Sequence, residues 1–357
     1  MTSQCADVVD ERRTVLVTGG AGFIGSHVVQ ALRRGGYTAV VYDDLSTGNR
    51  EAVPDVPLVL GDVQDRAALV RACRDFGVRT IIHLAAALSV PESMRVPAHY
   101  YRTNVGGSIA VLDAAVAADV PDVVVASSGA VYGEGVGRPF REDDVPRPVN
   151  VYGETKLVVE RALAYFAAIH GIRSAALRLF NVAGADPTGE IGEVHDPETH
   201  LLPELVAAAE TGAPCDIYGD DYPTRDGTCV RDYVHVCDVA SAFVRCIEWL
   251  PLAHETAAAT TAVFNVASGR GDSVREVIAA VRQITGVRVV TPLRPRRDGD
   301  PASLVACCER IRAAVGWVPR HSELTTLVAS TYHWQRSAIR RTWARAAATV
   351  SQTRSAS

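Results

Sequence analysis

Residues Thr14 to His27 read TVLVTGGAGFIGSH. A β-branched apolar run passes straight into closely spaced glycines, and a helical pattern, GSHVVQALRRGG, follows at once. Two overlapping spacings are present, Gly20-x-Gly22-x-x-Gly25 and Gly19-x-x-Gly22-x-x-Gly25. Such glycines say little alone, but between a strand and a helix they have a mechanism. They allow a tight turn and close approach of a pyrophosphate. The first helical turn, Gly22, Phe23, Ile24 and Gly25, then offers free N–H groups and positive partial charge. Asp43 stands eighteen residues beyond Gly25, at the end of the next strand-like run, TAVVYDD. A carboxylate there accepts hydrogen bonds from the adenosine ribose and repels a 2′-phosphate, so the predicted dinucleotide is NAD rather than NADP.

The texture continues outward from this turn. RAALVRACRDFG, NVGGSIAVLDAAVAADV and KLVVERALAYFAAIHG have helical periodicity, while RTIIHLAAA, DVVVASS and RSAALRLFN read as buried strands. The alternation predicts an α/β fold: a Rossmann-type, doubly wound parallel sheet with a smaller mixed α/β substrate-binding lobe. After Asn181 the chain turns to a Gly-, Pro- and acid-rich stretch, VAGADPTGEIGEVHDPETH, and the later elements are shorter. The expected division is a tail over 1–13, a NAD-binding domain over 14–181 with a return of 236–268, a second lobe over 182–339, and a tail over 340–357.

The chain has 357 residues, of which 48% are hydrophobic, enough for a large core. Asp plus Glu exceed Lys plus Arg by 41 to 36, so nothing draws the chain to nucleic acid or to an anionic membrane. A phosphate-bearing ligand needs local Arg, Lys or backbone N–H groups. No signal-peptide pattern and no membrane-length apolar run is present. The eight cysteines form no C-x-x-C, and His195 and His200 lie in a loop-like segment. The expectation is therefore reduced thiols, a cytoplasmic location and no metal.

In NVYGETKLVVE, from Asn150 to Glu160, Tyr152 and Lys156 stand four residues apart, on one face of a helix. Ser128 ends the strand-like DVVVASS, and ligands in open α/β sheets sit beyond the carboxyl ends of strands. A free phenol, with a pKa of about 10, is a poor base at neutral pH. An ammonium and the positive nicotinamide ring both favour phenolate. Ser128, Tyr152 and Lys156 are the predicted catalytic residues.

With these motifs in place, the chain resembles the extended short-chain dehydrogenases/reductases and, within them, the UDP-glucose 4-epimerases. The likeness runs from Thr14 to about Pro319, through YDDLSTGN, HLAAALSVPES, SSGAVYGE, LRLFNVAGADPTG, GTCVRDYVHVCDVA and RPRRDGDPASLVA. It implies that Asp43 and Asp44 hold the ribose, that Asp62 and Val63 border the adenine, and that Asn104 orders the cofactor side. It implies a substrate side of Asn181, the His200-Leu201 turn, Tyr218 at the uracil, and Arg231, Arg297 and Asp300 at the diphosphate and ribose. The implied reaction is reversible C4 oxidation of UDP-glucose or UDP-galactose, in a homodimer joined through helices near 105–119 and 155–169. Dehydratases of this group carry an acid where this chain has Gly129 and Ala130, which cannot move a proton. Leu304 falls where the group varies from a bulky Tyr to a small Cys or Ser, and Leu88 where some epimerases carry Lys. An intermediate leucine keeps UDP-N-acetylglucosamine/N-acetylgalactosamine as the alternative substrate pair. A UDP-glucuronate epimerase fits less well, since Asn181 stands where those chains more often show Thr. A non-catalytic NAD sensor also fits less well, since it would usually lack the Tyr or the Lys.

Overall fold

The computed structural model describes residues 14–135, 137–195, 198–254, 261–297, 299–337, 339–340 and 343. Six strands, β1 (Thr14–Thr18), β2 (Thr38–Asp43), β3 (Leu58–Leu60), β4 (Thr80–His83), β5 (Asp122–Ser128) and β6 (Arg173–Leu179), alternate with helices. The helices are α1 (Phe23–Arg34), α2 (Arg66–Asp75), α3 (Val90–Arg95), α4 (Pro97–Tyr100), α5 (Gly107–Ala117) and α6 (Val151–His170). The later elements are β7 (Asn181–Ala183), α7 (Leu201–Thr211), β8 (Ile217–Tyr218), β9 (Val230–Arg231), β10 (Tyr233–His235) and α8 (Val236–His254). They continue with β11 (Ala262–Val266), β12 (Asp272–Ser273), α9 (Val274–Thr285), β13 (Leu293–Arg294), β14 (Ser303–Leu304), α10 (Glu309–Val315) and α11 (Leu324–Arg336).

The main sheet runs β11-β6-β5-β4-β1-β2-β3, and every neighbour is parallel. Strands buried on both faces explain the continuous apolar runs such as TVLVT. Val15, Val17 and Val41 pack under α1 and α8, whereas Leu16, Val40 and Ile81 pack under α2, α5 and α6. The chain order reverses between β1 and β4, the topological switch point of such sheets, and the glycine turn leaves β1 there. β11 adds to the edge beside β6 after a long excursion, and α8 packs on α1. The expectation missed β3, three residues in a Pro-rich surround with no period to read.

The excursion builds a second layer from short pairings: β10 with β7, β9 between β12 and β14, and β13 with β8. Its core is helical, with Leu205 and Val206 of α7 against Val277 and Val281 of α9 and Leu327 and Val328 of α11. Of the two expected tails, 1–13 lies outside the described residues. In the other, Trp343 is buried against Trp334, their rings 5.1 Å apart, so the packed part of the chain passes 340. Burying an indole removes a large apolar surface from water, which the basic flanking sequence hid. Among the described residues no helix is long and apolar enough to cross a membrane.

Candidate active site

The glycine turn is shaped by close approach. A Cβ on Gly25 would lie 2.1 Å from the Gly19 carbonyl oxygen, and Gly19 itself has φ +68°. Gly22 caps α1 with no side-chain hydrogen bond, and a Cβ added there would meet only that same carbonyl, at 3.3 Å. The helix end at Phe23 and Ile24 therefore keeps its N–H groups for an incoming anion. Asp43 is buried at the end of β2, accepting from the N–H of Ala21 and of Leu45, each at 2.9 Å. It fastens the glycine turn to the following loop, and burial raises its pKa against those two bonds. Asp44 is exposed beside it and accepts from Ser46 N. Asp62 and Val63 follow β3: the first is exposed, and the second is buried against the site of Gly107. An uncapped helix end, an open glycine face and a carboxylate at the neighbouring strand end fit a dinucleotide.

Ser128 closes β5, and its hydroxyl accepts from Ala130 N at 3.1 Å. Asn150 caps α6, its side chain accepting from Gly153 N at 2.8 Å, which fixes where the helix starts and so where Tyr152 stands. The Tyr152 side chain is partly buried, and Ser128 is the group that opposes the upward push of desolvation on its phenol. One turn on, Lys156 Nζ lies 5.8 Å from the Tyr152 ring centre and donates to the Ala126 carbonyl at 3.0 Å. The three predicted catalytic residues are thus together. Desolvation raises the Tyr152 pKa against the influence of Ser128, and burial pushes the Lys156 ammonium down to about 8. Desolvation is the first cause in both, and it disfavours the charged form of each.

Asn104 sits in a single π-helical turn, Tyr101–Gly106, just before α5. Its amide is fully used: Oδ1 accepts from Ala87 N at 2.8 Å, and Nδ2 donates to Ala87 O and to Thr155 Oγ1, both at 3.1 Å. It ties the loop after β4, where exposed Leu88 lies, to the helix of Tyr152. Sequence reasoning missed what stands behind this. Glu160, one turn beyond Lys156, accepts from Arg178 at 2.9 and 2.7 Å and from the hydroxyl of Ser127, the neighbour of Ser128. Arg178 also donates to the Tyr132 hydroxyl at 2.8 Å, which donates to Asn265 at 2.7 Å. All five side chains are buried, and they bind α6 to β5, β6 and β11. An arginine inside the apolar run AALRLF was the available signal. His83, held by Thr18 at 2.6 Å and Ser108 at 2.9 Å, was missed too, and burial followed by the Lys156 charge pushes it down to about 3.

Apart from Ser128, the predicted substrate residues lie after β6, on short strands and the segments beside them. Asn181 opens β7, paired with Tyr233 of β10. Arg297 lies 3.8 Å above the Tyr218 ring. Arg231 donates to Asp300 at 2.7 Å and to the Pro301 carbonyl at 2.8 Å, and its register partner across the sheet is Leu304. Leu304 in turn packs on the cluster of Val131, Tyr132, Phe140 and Phe180, next to the turn that follows Ser128. His200 caps α7, and its ring faces acids, 2.8 Å from Glu193 and 3.2 Å from Glu198. Burial works to lower its pKa, but those carboxylates hold it up at about 10.

Residues 15–267 match the NAD dependent epimerase/dehydratase family. A UDP-glucose 4-epimerase of Azospirillum brasilense is 46% identical, over 90% of this chain and 92% of that relative. A structure of the Brucella ovis UDP-glucose 4-epimerase in complex with NAD superposes with a TM-score of 0.86 at 43% identity, covering 90% of this chain and 98% of the other. That of Stenotrophomonas maltophila, with bound NAD and formylated UDP-arabinopyranose, gives a TM-score of 0.87 at 37% identity, covering 94% and 99%. With its glycine turn, its Ser-Tyr-Lys group and more than two thirds of its length inside that match, the chain belongs to the NAD-dependent epimerase/dehydratase family.

Proposed function

We propose that the chain is a UDP-hexose 4-epimerase interconverting UDP-glucose and UDP-galactose with bound NAD. The observation that carries this reading is the partly buried Tyr152, at the start of α6 and one helical turn from Lys156, with Ser128 at the end of β5 acting on its phenol. The related proteins bear the same activity in their names. Gly19, Gly22, Phe23, Ile24, Gly25, Asp43, Asp44, Asp62, Val63 and Asn104 form the proposed cofactor side. NAD, when bound, supplies a hydride acceptor that is restored within each turnover. Tyr152 takes the proton of the sugar 4-hydroxyl and later returns it, while Ser128 holds the same oxygen. Because the protein by itself raises the phenol's pKa, Lys156 acts as part of a larger positive field rather than alone. Arg231 and Arg297, with Tyr218, Asn181, Asp300 and the His200-Leu201 backbone, hold the UDP half. Two guanidinium groups grip a diphosphate well in an acidic protein. The sugar must be held weakly, since its ring has to present both faces.

The test is direct. The purified protein is incubated separately with UDP-Gal, UDP-Glc, UDP-GalNAc and UDP-GlcNAc without added cofactor, and products are resolved by NMR. We expect the glucose/galactose pair to interconvert and dinucleotide to be released on denaturation; absence of any C4 stereoisomer rejects the proposal. The N-acetyl pair is the second reading, supported by Leu304 beside the Ser128 turn. Leu304→Tyr is expected to suppress N-acetyl activity and spare the smaller sugars, and equal loss of both refutes the gate.

The proposal extends to a homodimer through α5 and α6, supported by Ile109, Tyr165 and Ile169, which are 43%, 69% and 70% exposed. Sedimentation of wild type against Tyr165→Asp checks it. A cytoplasmic location is supported by the free thiols of the described cysteines. A two-lobe division, 14–181 with 236–268 against the rest to 339, is supported by β11 in the main sheet.

A further inference from the structure

One stretch of sequence bears on the expectation that this chain holds no metal. Glu193, His195, Glu198 and His200 follow one another as E-x-H-x-x-E-x-H. Among the described residues they form a group whose four donor atoms all lie within 4.8 Å of one another. We infer that Glu193, His195, Glu198 and His200 form a binding site for one divalent transition-metal cation of the zinc type.

The argument begins with crowding. Glu193 Oε1 lies 2.9 Å from His195 Nδ1 and 2.8 Å from His200 Nδ1, while His200 Nδ1 is 3.2 Å from Glu198 Oε1. One carboxylate oxygen thus faces two imidazole nitrogens at once. His195 Nδ1 is shut off from solvent and, despite its nearness to Glu193, lacks the alignment of a hydrogen bond. A cation gives all four atoms the same partner. Tetrahedral ligands about 2.0–2.1 Å from zinc stand roughly 3.3–3.5 Å apart, so the close pairs have to open by about half an ångström while the wider pairs, out to 4.8 Å, draw in.

The donor set selects the ion. Two imidazoles with two carboxylates suit zinc and its first-row neighbours, whereas calcium and magnesium prefer an all-oxygen shell. The frame is already fixed at both ends. The Glu193 carbonyl accepts from Trp334 Nε1 at 2.8 Å, and His200 caps α7. Glu198 is oriented by the N–H groups of Thr199 and His200, at 2.8 and 2.9 Å, which act as an outer shell for the ligand. Glu193 is buried and His200 is half exposed, so an ion has a way in. The cation would tie down the segment that carries the His200-Leu201 turn.

The experiment uses full-length, tag-free protein stripped with chelator, titrated with Zn2+ by calorimetry and with Co2+ by visible absorption. We expect one equivalent per chain, with micromolar or tighter affinity, and the intense d–d bands of tetrahedral cobalt. His195→Ala and His200→Ala should each weaken binding at least about tenfold. The double variant should bind no stoichiometric ion, while His170→Ala, an exposed imidazole elsewhere, should bind as wild type. Zinc should also raise the melting temperature of the wild type but not of the double variant. Failure of the wild type to take up one equivalent, or unchanged affinity in a folded double variant, overturns the inference. If the alanine variants do not fold, the cobalt spectrum of the wild type decides, and absence of tetrahedral bands overturns it. No readout depends on turnover, so the epimerase reading can fail or stand independently.

Discussion

Around Tyr152, polar side chains are spent on the scaffold; around Arg297, they lie on short strands near the surface. Lys156 is held by a carbonyl, Asn104 by three hydrogen bonds, and Glu160 with Arg178 is an ion pair whose side chains are 6% and 4% exposed. On the other side, the Arg294–Asp216 and Arg296–Asp221 pairs are largely exposed, and β8, β9, β13 and β14 are two residues each. Exposed pairs are worth about 0–1 kcal/mol, whereas removing one partner of a buried pair costs about 3–5 kcal/mol. The proposed catalytic side is therefore over-determined, and the surface around Arg297 on the proposed substrate side is left adjustable, although Arg231 there is buried and paired with Asp300. A proton transfer tolerates little displacement, while a UDP group can be gripped by several arrangements of arginine.

The contrast can be broken at four places. Tyr152→Phe keeps the packing and removes the proton carrier, so turnover should fall about 10²–10⁴-fold with an unchanged melting temperature. Retained turnover, measured by NMR of UDP-galactose conversion, would move the chemistry elsewhere. Glu160→Gln leaves the buried Arg178 guanidinium without its counter-charge and should destabilise the fold by about 3–5 kcal/mol. Pairing it with Arg178→Met should recover most of the stability in urea unfolding. If turnover returns fully as well, the pair serves only folding; a persistent loss in kcat at constant KM marks it as positioning the α6–β5 junction.

A milder change is expected across the molecule. Arg297→Ala should raise KM about tenfold or more with kcat nearly constant, the signature of uniform binding. An equal fall in kcat and kcat/KM would place Arg297 in the transition state and erase the contrast. The smallest effect is acid sensitivity. Burial pushes His83 down to about 3 and His27 to about 4, whereas an unfolded histidine titrates near 6.5. Between those values the unfolded chain takes up protons that the native chain refuses. Stability should then fall as pH drops below about 6.5, by at most about 1.4 kcal/mol per pH unit for each histidine. His83→Asn should flatten the curve of melting temperature against pH, and an unchanged slope rejects the assignment.

Much of the cofactor side was legible before any coordinates. TVLVTGGAGFIGSH names its own strand, turn and helix because glycine spacing, burial period and helix start are local properties. Tyr152 and Lys156 share a face because four residues make about one turn. Ser128 was readable as a strand end. The substrate side was legible only through resemblance, since two-residue strands have no period, and Arg231 and Asp300 are sixty-nine residues apart before folding brings them to 2.7 Å. Trp343 was missed because the basic residues around it give no apolar period, although it joins Trp334, Ala185 and Ile191 in one buried cluster.

By itself the amino-acid order determined the dinucleotide turn, the strand–helix alternation and the spacing of the phenol and ammonium, because each depends on residues within a few turns of one another. Only the tertiary structure decided which way the Tyr152 pKa moves, that Glu160 and Arg178 meet behind Ser127, and that two imidazoles converge on Glu193. Those outcomes depend on burial and on distances between residues remote in the chain. Desolvation and Coulomb energies take their magnitude from such surroundings, which no window of sequence contains.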